Sequence, residues 1–464
     1  MNRSGGYHYT TNGMKAGMEI KRNKSKSICV HPWSHLAINP NGDVIPCCHA
    51  RWKNPASGES HSTNVMGSIH KNNLDEIFNS DFIKDIRKQM INGILPEDVC
   101  GKCKYYEDIN VKSPRQWTFK APYAPAVEKL METTTLEDGT LTDYKIRYWD
   151  LRYSNRCNMS CIMCSPEWSH KWTAEIKKLD SQVEDLDGKK KLAQALVYDR
   201  DNVMSMPKTL DLKNLDWVDN GIKDVEKIYF AGGEPLIMDE HWYILDKLDQ
   251  AKRYDTHIKY NTNMLKLDHR GKNVIDYWKK WDKQHLFVEC SIDETNERAE
   301  YIRNGTVWKT VSKNIQEVIN AGIRISPIIS VGCYNIHRLP ELIEELRQLF
   351  LGNGDKVFRP TLNPVFTKAY SMSVWPDKEA RRIQKKLRRW EKKTHNVRPQ
   401  QLKPFYDMLE KPHNPDAAKA FLRKSAILDI SRNKNIFESI PELEIVNTTY
   451  NDLYNKTKDE WNNK

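Results

Sequence analysis

Hydrophobic positions along the 464-residue chain follow two periods, and the second half of the chain switches between them in turn. Ile146 and Tyr148 alternate with Lys145 and Arg147, which predicts a strand at 145–148. Short apolar runs predict further strands at 227–230, 257–260, 286–292, 323–331 and 357–361. Between them, residues 274–281, 311–321 and 339–350 carry apolar side chains at helical spacing. About six such alternations imply parallel strands joined by crossover helices, an α/β partial (β/α)6 barrel with its chemistry at the C-terminal ends of the strands. Upstream, Leu74, Ile77, Phe78, Phe82, Ile83 and Ile86 predict one helix over 73–90.

This pattern divides the chain. Residues 1–27 are polar without period and read as a disordered arm. Residues 28–112 form a small cysteine-bearing domain, 113–144 a connector rich in Pro, Tyr and Thr, and 145–370 the alternating core. A polar insertion at about 179–221 interrupts the core, and 371–464 form a basic helical C-terminal extension. Hydrophobic residues make up 39% of the chain, enough for a substantial core. No apolar run reaches the roughly 18 residues of a membrane span, and no secretory leader is present, so a cytoplasmic chain without a membrane partner is expected.

A reducing compartment turns ten cysteines from candidate disulfides into candidate ligands. Charge adds less. The chain carries a formal +11, concentrated in the extension, where Arg381, Arg382, Lys385, Lys386, Arg388 and Arg389 fall close together. They read as a solvated helix face or as a surface for nucleic acid or an acidic peptide.

The sharpest chemistry is Cys157-Asn158-Met159-Ser160-Cys161-Ile162-Met163-Cys164. A cubane iron-sulfur cluster has four irons that each need an outside ligand, so three thiolates leave one iron free for a small molecule. Zinc is the competing occupant, but structural zinc wants four ligands and usually two-residue gaps. This spacing, with the strand before it and a helix after it, resembles the signature of the radical S-adenosylmethionine (SAM) superfamily. That resemblance implies a 4Fe-4S cluster whose free iron is chelated by SAM. One electron then cleaves SAM to methionine and a 5'-deoxyadenosyl radical that takes hydrogen from a substrate.

Other segments fit the same family. Gly232-Gly233-Glu234-Pro235 ends the second strand and resembles the turn that holds the SAM amino group; its glycines permit close backbone approach and Glu234 accepts from an ammonium. Ser291-Ile292-Asp293-Glu294 resembles the ribose-side segment Ser-Ile-Asp-Gly, with Glu294 in place of glycine. Asn261-Thr262-Asn263 resembles a Thr-Asn-Gly element, with Asn263 near SAM and Met264 in place of glycine. Arg303 resembles the arginine that pairs with the SAM carboxylate. The likeness spans about 145–365.

Cys29, Cys47, Cys100 and Cys103 form a second, four-thiolate set, and the Asn-Gly turn at 41–42 folds Cys29 towards Cys47. They resemble the twitch domain, a shortened SPASM domain with one auxiliary 4Fe-4S cluster, here ahead of the core instead of behind it. Zinc suits four cysteines equally well, and Cys48 competes with Cys47 as a ligand. His31, His35 and His49 read as local hydrogen-bonding groups, and Cys290 and Cys333 as small buried hydrophobes.

The resemblance thus implies a radical SAM enzyme acting on a peptide or protein side chain, with an electron donor such as flavodoxin or ferredoxin. A small metabolite or nucleotide is the alternative substrate, and a metal-stabilised nucleic-acid-binding module the alternative of another class.

Overall fold

The computed structural model describes residues 27–50, 64–108, 112–206, 215–351, 358 and 360–462. The arm expected at 1–27 falls outside these residues apart from Ser27, as do 207–214 of the insertion and the first and third residues of the strand expected at 357–361. The chain divides into two compact units. The first comprises residues 1–154, 211–232 and 239–258, and the second 155–210, 233–238 and 259–464.

In the first unit, β1 (His35–Ile38) and β2 (Asp43–Ile45) form the hairpin that Asn41-Gly42 predicts, pairing Ala37 with Ile45 and Ile38 with Val44. Gly42 takes the left-handed φ of +83° that the turn requires, and β3 (Gly67–Ser68) extends the hairpin. β1 also pairs in parallel with β4 (Tyr148–Leu151), from His35 opposite Tyr148 to Ile38 opposite Leu151. β4 in turn pairs in parallel with β5 (Lys227–Phe230). The cysteine-bearing segment is therefore part of the parallel sheet of this unit. The periodicity of so short a strand as β1, buried at all four positions, is indistinguishable from a buried turn.

Two expectations need correction here. The helix expected over 73–90 is two helices, Leu74–Phe78 and Asp81–Ile91. Asn79 breaks it because its side-chain amide is drawn into a two-way bond with the backbone of Leu141 (3.2 and 2.8 Å). The connector at 113–144 carries the helices Pro114–Thr118 and Ala124–Thr134, each with a proline in its first turn.

β6 (His257–Thr262) starts in the first unit and ends in the second. A small hairpin follows, β7 (Asp268–His269) with β8 (Lys272–Asn273). Within the second unit β9 (Leu286–Ser291), β10 (Ile325–Val331) and β11 (Thr361–Pro364) are parallel neighbours, backed by the helices Trp308–Asn320 and Leu339–Phe350. The fold is mixed α/β with parallel strands and a helical C-terminal part, as expected. Among the described residues no helix is long and apolar enough to cross a membrane.

The extension is more than a basic tail. Its helix Pro415–Arg432 is buried on nearly every side, with Ala417, Phe421, Leu422 and Leu428 among its covered residues. Buried Asp429 accepts from the hydroxyls of Tyr301 (2.8 Å) and Tyr454 (2.7 Å) and from the backbone N–H of Ile436 (2.8 Å). That carboxylate locks the extension to the helix Asn296–Ile302. Asp429→Ala should strand two buried hydroxyls and cost about 3 kcal/mol, while Asp429→Asn, which keeps an accepting oxygen, should cost less; denaturant midpoints of the two variants measure the difference.

Candidate metal centres

The two cysteine sets lie one in each unit. In the second unit, the loop from Cys157 to Cys164 has little regular structure of its own and takes its shape from its neighbours. Ser160 N–H donates to Asn304 O (2.8 Å) and Ile162 N–H to Ile302 O (2.9 Å). Cys157 N–H donates to His170 Nδ1 (3.1 Å), Ser169 Oγ to Met159 O (2.6 Å), Trp172 Nε1 to Cys161 O (2.8 Å) and Arg432 Nη2 to Ser160 O (2.9 Å). Gly305, at φ +103°, lets the chain pass so close that a Cβ would sit 2.8 Å from Asn158 O. Much of the loop's backbone is thus held by neighbouring segments, and of its thiols Cys164 Sγ donates to Ser165 O (3.8 Å).

The thiols are buried together. Burial, then the proximity of Cys161, Glu234 and Cys164, pushes Cys157 well above its ordinary value. Burial likewise pushes Cys164 up to about 12 and raises Cys161. Thiols held neutral in this way ionise when a metal supplies positive charge.

Gly233 and Glu234 dock on the same loop. A Cβ on Gly233 would overlap the carbonyl oxygen of Arg156, and Glu234 N–H donates to that oxygen at 2.8 Å. Gly232 lies in the first unit with φ +106°, and Pro235 opens a short 3-10 turn. The buried carboxylate of Glu234 accepts from Thr262 Oγ1 (2.7 Å), Asn263 N–H (2.7 Å) and Leu236 N–H (3.2 Å). Burial raises it to about 7 against the pull of those three donors. Asn263 Nδ2 donates to Asn158 Oδ1 (2.6 Å), joining the end of β6 to the cysteine loop, while Asn158 Nδ2 is buried without a partner. Met264 adopts φ +58°, the conformation glycine would supply at that point.

Arg303 Nη1 donates to buried Asp293 Oδ2 (2.8 Å), whose other oxygen accepts from Ser330 N–H (2.6 Å). Arg303 also bears electrostatically on Cys161 and Cys157, and its Nε is buried and unbonded. Asp293 is thus already occupied in holding Arg303 beside the thiols. Ser291 ends β9, half-buried. Glu294, standing where a glycine was expected, is buried against Arg338 (3.1 Å). An unpaired Asn158 amide, a free Arg303 edge and a cradle that only glycine permits suit a polar, charged ligand over three thiols.

In the first unit, Cys29 and Cys103 are buried and Cys47 and Cys100 half-buried. Burial raises all four thiols, Cys29 to about 12, and Cys47 feels Cys100, Cys29 and Cys103 at once. Cys48 is exposed, and the charges it meets first are Asp150 and Arg152. Arg115, paired with Glu107 and donating to Ile28 O (2.9 Å), is the cation beside Cys29 and Cys100. His31 and His35 stack at 4.3 Å, and burial lowers both, His35 to about 4, so they are neutral. Among the described residues no three Cys, His, Asp or Glu side chains converge on a point that would hold a single metal ion.

Sequence reasoning missed Arg432 and Lys424. Both come from the helix Pro415–Arg432, far along the chain, and neither belongs to a motif.

A family model described as the radical SAM superfamily matches residues 151–346, and one described as SPASM, an iron-sulfur cluster-binding domain, matches residues 29–104. No curated protein matches the sequence. Among solved structures, native anSMEcpe with bound AdoMet is 13% identical, with a TM-score of 0.33 over 52% of this chain and 58% of that one. SuiB of Streptococcus suis is 14% identical, with a TM-score of 0.32 over 78% of this chain and 70% of that one. SuiB bound to precursor peptide SuiA gives 13% and 0.33 over the same shares. The chain thus spans a little under three-fifths of the length of anSMEcpe.

The geometry separates local from distant contributions to the loop. Gly233→Ala should force Arg156 away and cost the second unit its cluster, read as a loss of about four irons per reconstituted chain. Cys48→Ala should keep the full iron content, and Cys47→Ala should lose about four irons from the other site.

Proposed function

We propose that this member of the radical SAM superfamily, which carries a SPASM domain ahead of its core, is an enzyme that cleaves SAM reductively and abstracts hydrogen from a peptide or protein side chain. The observation that carries the reading is the docking of Gly233 and Glu234 on the carbonyl of Arg156, which brings the SAM-turn motif against the three-cysteine loop.

Cys157, Cys161 and Cys164 would hold one 4Fe-4S cluster, and Cys29, Cys47, Cys100 and Cys103 the auxiliary one. When bound, the first cluster and SAM supply the deoxyadenosyl radical; the protein's part is to orient and shield. Glu234 faces the ammonium of SAM with its carboxylate held by three donors. Arg303, fixed by Asp293, offers its free edge to the SAM carboxylate, and Asn263 holds Asn158 against the loop. Ser291 and Asp293 border the ribose side, and Gly232 and Pro235 shape the turn. The SPASM match ahead of the core in sequence supports a peptide over a small metabolite, and the electron comes from a carrier such as flavodoxin or ferredoxin.

Anaerobic reconstitution should give about eight irons per chain, and four would sink the auxiliary cluster. Replacing Cys157, Cys161 and Cys164 together by Ala should abolish 5'-deoxyadenosine formation under dithionite; retained cleavage would overturn the assignment. Cleavage stimulated by a peptide library supports the peptide reading, and cleavage stimulated by nucleotides alone goes against it. Glu234→Gln should weaken SAM binding about tenfold by equilibrium dialysis, the loss of one charge-assisted hydrogen bond of about 1.5 kcal/mol.

A further inference from the structure

Two cations from the C-terminal extension reach the cysteine loop through one indole. Trp172, whose Nε1 donates to Cys161 O, has Arg432 over its ring at 5.1 Å and Lys424 over it at 5.3 Å. Arg432 is neutralised: Nε and Nη2 form a two-pronged pair with Glu175 (2.9 and 2.8 Å) while Nη2 also donates to Ser160 O. Lys424 is not. It is 4% exposed, its ammonium makes no hydrogen bond or ion pair among the described residues, and its nearest partners are the faces of Trp172 and of Tyr370, the latter at 5.1 Å. Ring faces offset only part of the cost of burying an ammonium.

Other charged groups around the loop have polar partners of their own. Asp293 pairs with Arg303, Glu175 with Arg432, and Glu234 is held by three donors. Of the cations named here, Lys424 is the one without a carboxylate partner. Lys424 and Cys164 also bear on each other electrostatically. The negative charge that would match it comes from the thiolates, and a cluster held by three thiolates becomes more negative by one charge when it accepts an electron.

We propose that Lys424 is a positioning residue for the electron: a buried, fixed cation that stabilises the reduced form of the cluster on Cys157, Cys161 and Cys164 and so raises its reduction potential. Cluster potential depends on nearby charge and burial, and a low-dielectric pocket gives a single fixed charge a long reach. Arg432, balanced by Glu175, holds the loop; Lys424 sets the charge. The inference rests on these cysteines being cluster ligands.

The test is a redox titration followed by electron paramagnetic resonance on the full-length, reconstituted protein, using the signal that changes when SAM is added so that the auxiliary cluster is not counted. Lys424→Met should keep its iron and lower the midpoint by roughly a tenfold change in the redox equilibrium, about 59 mV for one electron. Lys424→Arg should restore the wild-type value. Glu175→Gln, which releases the charge of Arg432, should move the midpoint the other way. An unchanged midpoint in Lys424→Met with full iron overturns the proposal. If Lys424→Met fails to load, an unchanged midpoint in Glu175→Gln does the same. A wild-type protein with no SAM-responsive signal would sink the proposed function first, and this inference with it.

Discussion

Everything at the second-unit site depends on one constraint: a loop carrying three thiols has to satisfy most of its backbone through other segments. The segment from Cys157 to Cys164 meets it by borrowing partners from Ile302, Asn304, Ser169, His170, Trp172 and Arg432. Each bond is worth about 1 kcal/mol net, but leaving one buried group unpaired costs as much or more. The loop is held in shape only while all these elements stand together. That is why the positions that fix it are scattered over the sequence, and why two glycines, Gly233 and Gly305, are set where another backbone runs against them.

The first unit solves the same problem with regular structure. The turn at Asn41-Gly42 folds Cys47 back past Cys29, and β1 is then pinned to β4 over four residues. Its cysteines hang on a hairpin, a following loop and the helix Glu97–Asp108, so here a sheet does what a web of side-chain bonds does in the other unit. Cys47 feels Cys48 and then Cys100, Cys29 and Cys103, while Cys48 meets Asp150 and Arg152 first. Both lie in the turn that follows β2, where Ala50 N–H donates to Cys47 O (3.0 Å).

Much of this was legible in the sequence. Strand β5 and the helix Leu339–Phe350 match their expected limits, because apolar runs bounded by polar turns define both ends. The cysteine spacings and the Gly-Gly-Glu-Pro turn are local features, and the chemistry they demand is local. What periodicity could not show lies in contacts between distant segments. Asn79 splits a helix because of Leu141, β1 joins the sheet because of β4, and Asp293, expected beside a ribose, is engaged by Arg303 and Ser330. The departures from the family pattern have structural reasons of the same kind: Glu294 is balanced by Arg338, and Met264 tolerates a left-handed backbone because Thr262 Oγ1 and Asn314 Nδ2 hold its N–H and carbonyl.

The charges explain why the extension is built as it is. Thiols that burial holds neutral cannot balance a buried ammonium, so without a cluster Lys424 rests on aromatic faces alone. Ligation converts those thiols to thiolates and supplies the missing charge. Burial, and after it the cation Arg432, lower Lys424 to about 8; a cluster nearby opposes that shift by favouring the charged form. Cluster assembly and the packing of the helix Pro415–Arg432 therefore favour each other. The Asp429 lock, which holds that helix to Asn296–Ile302, stabilises the segment that leads into the loop's own backbone partners. The C-terminal helix thus acts on the metal centre twice, through the shape of the loop and through its charge.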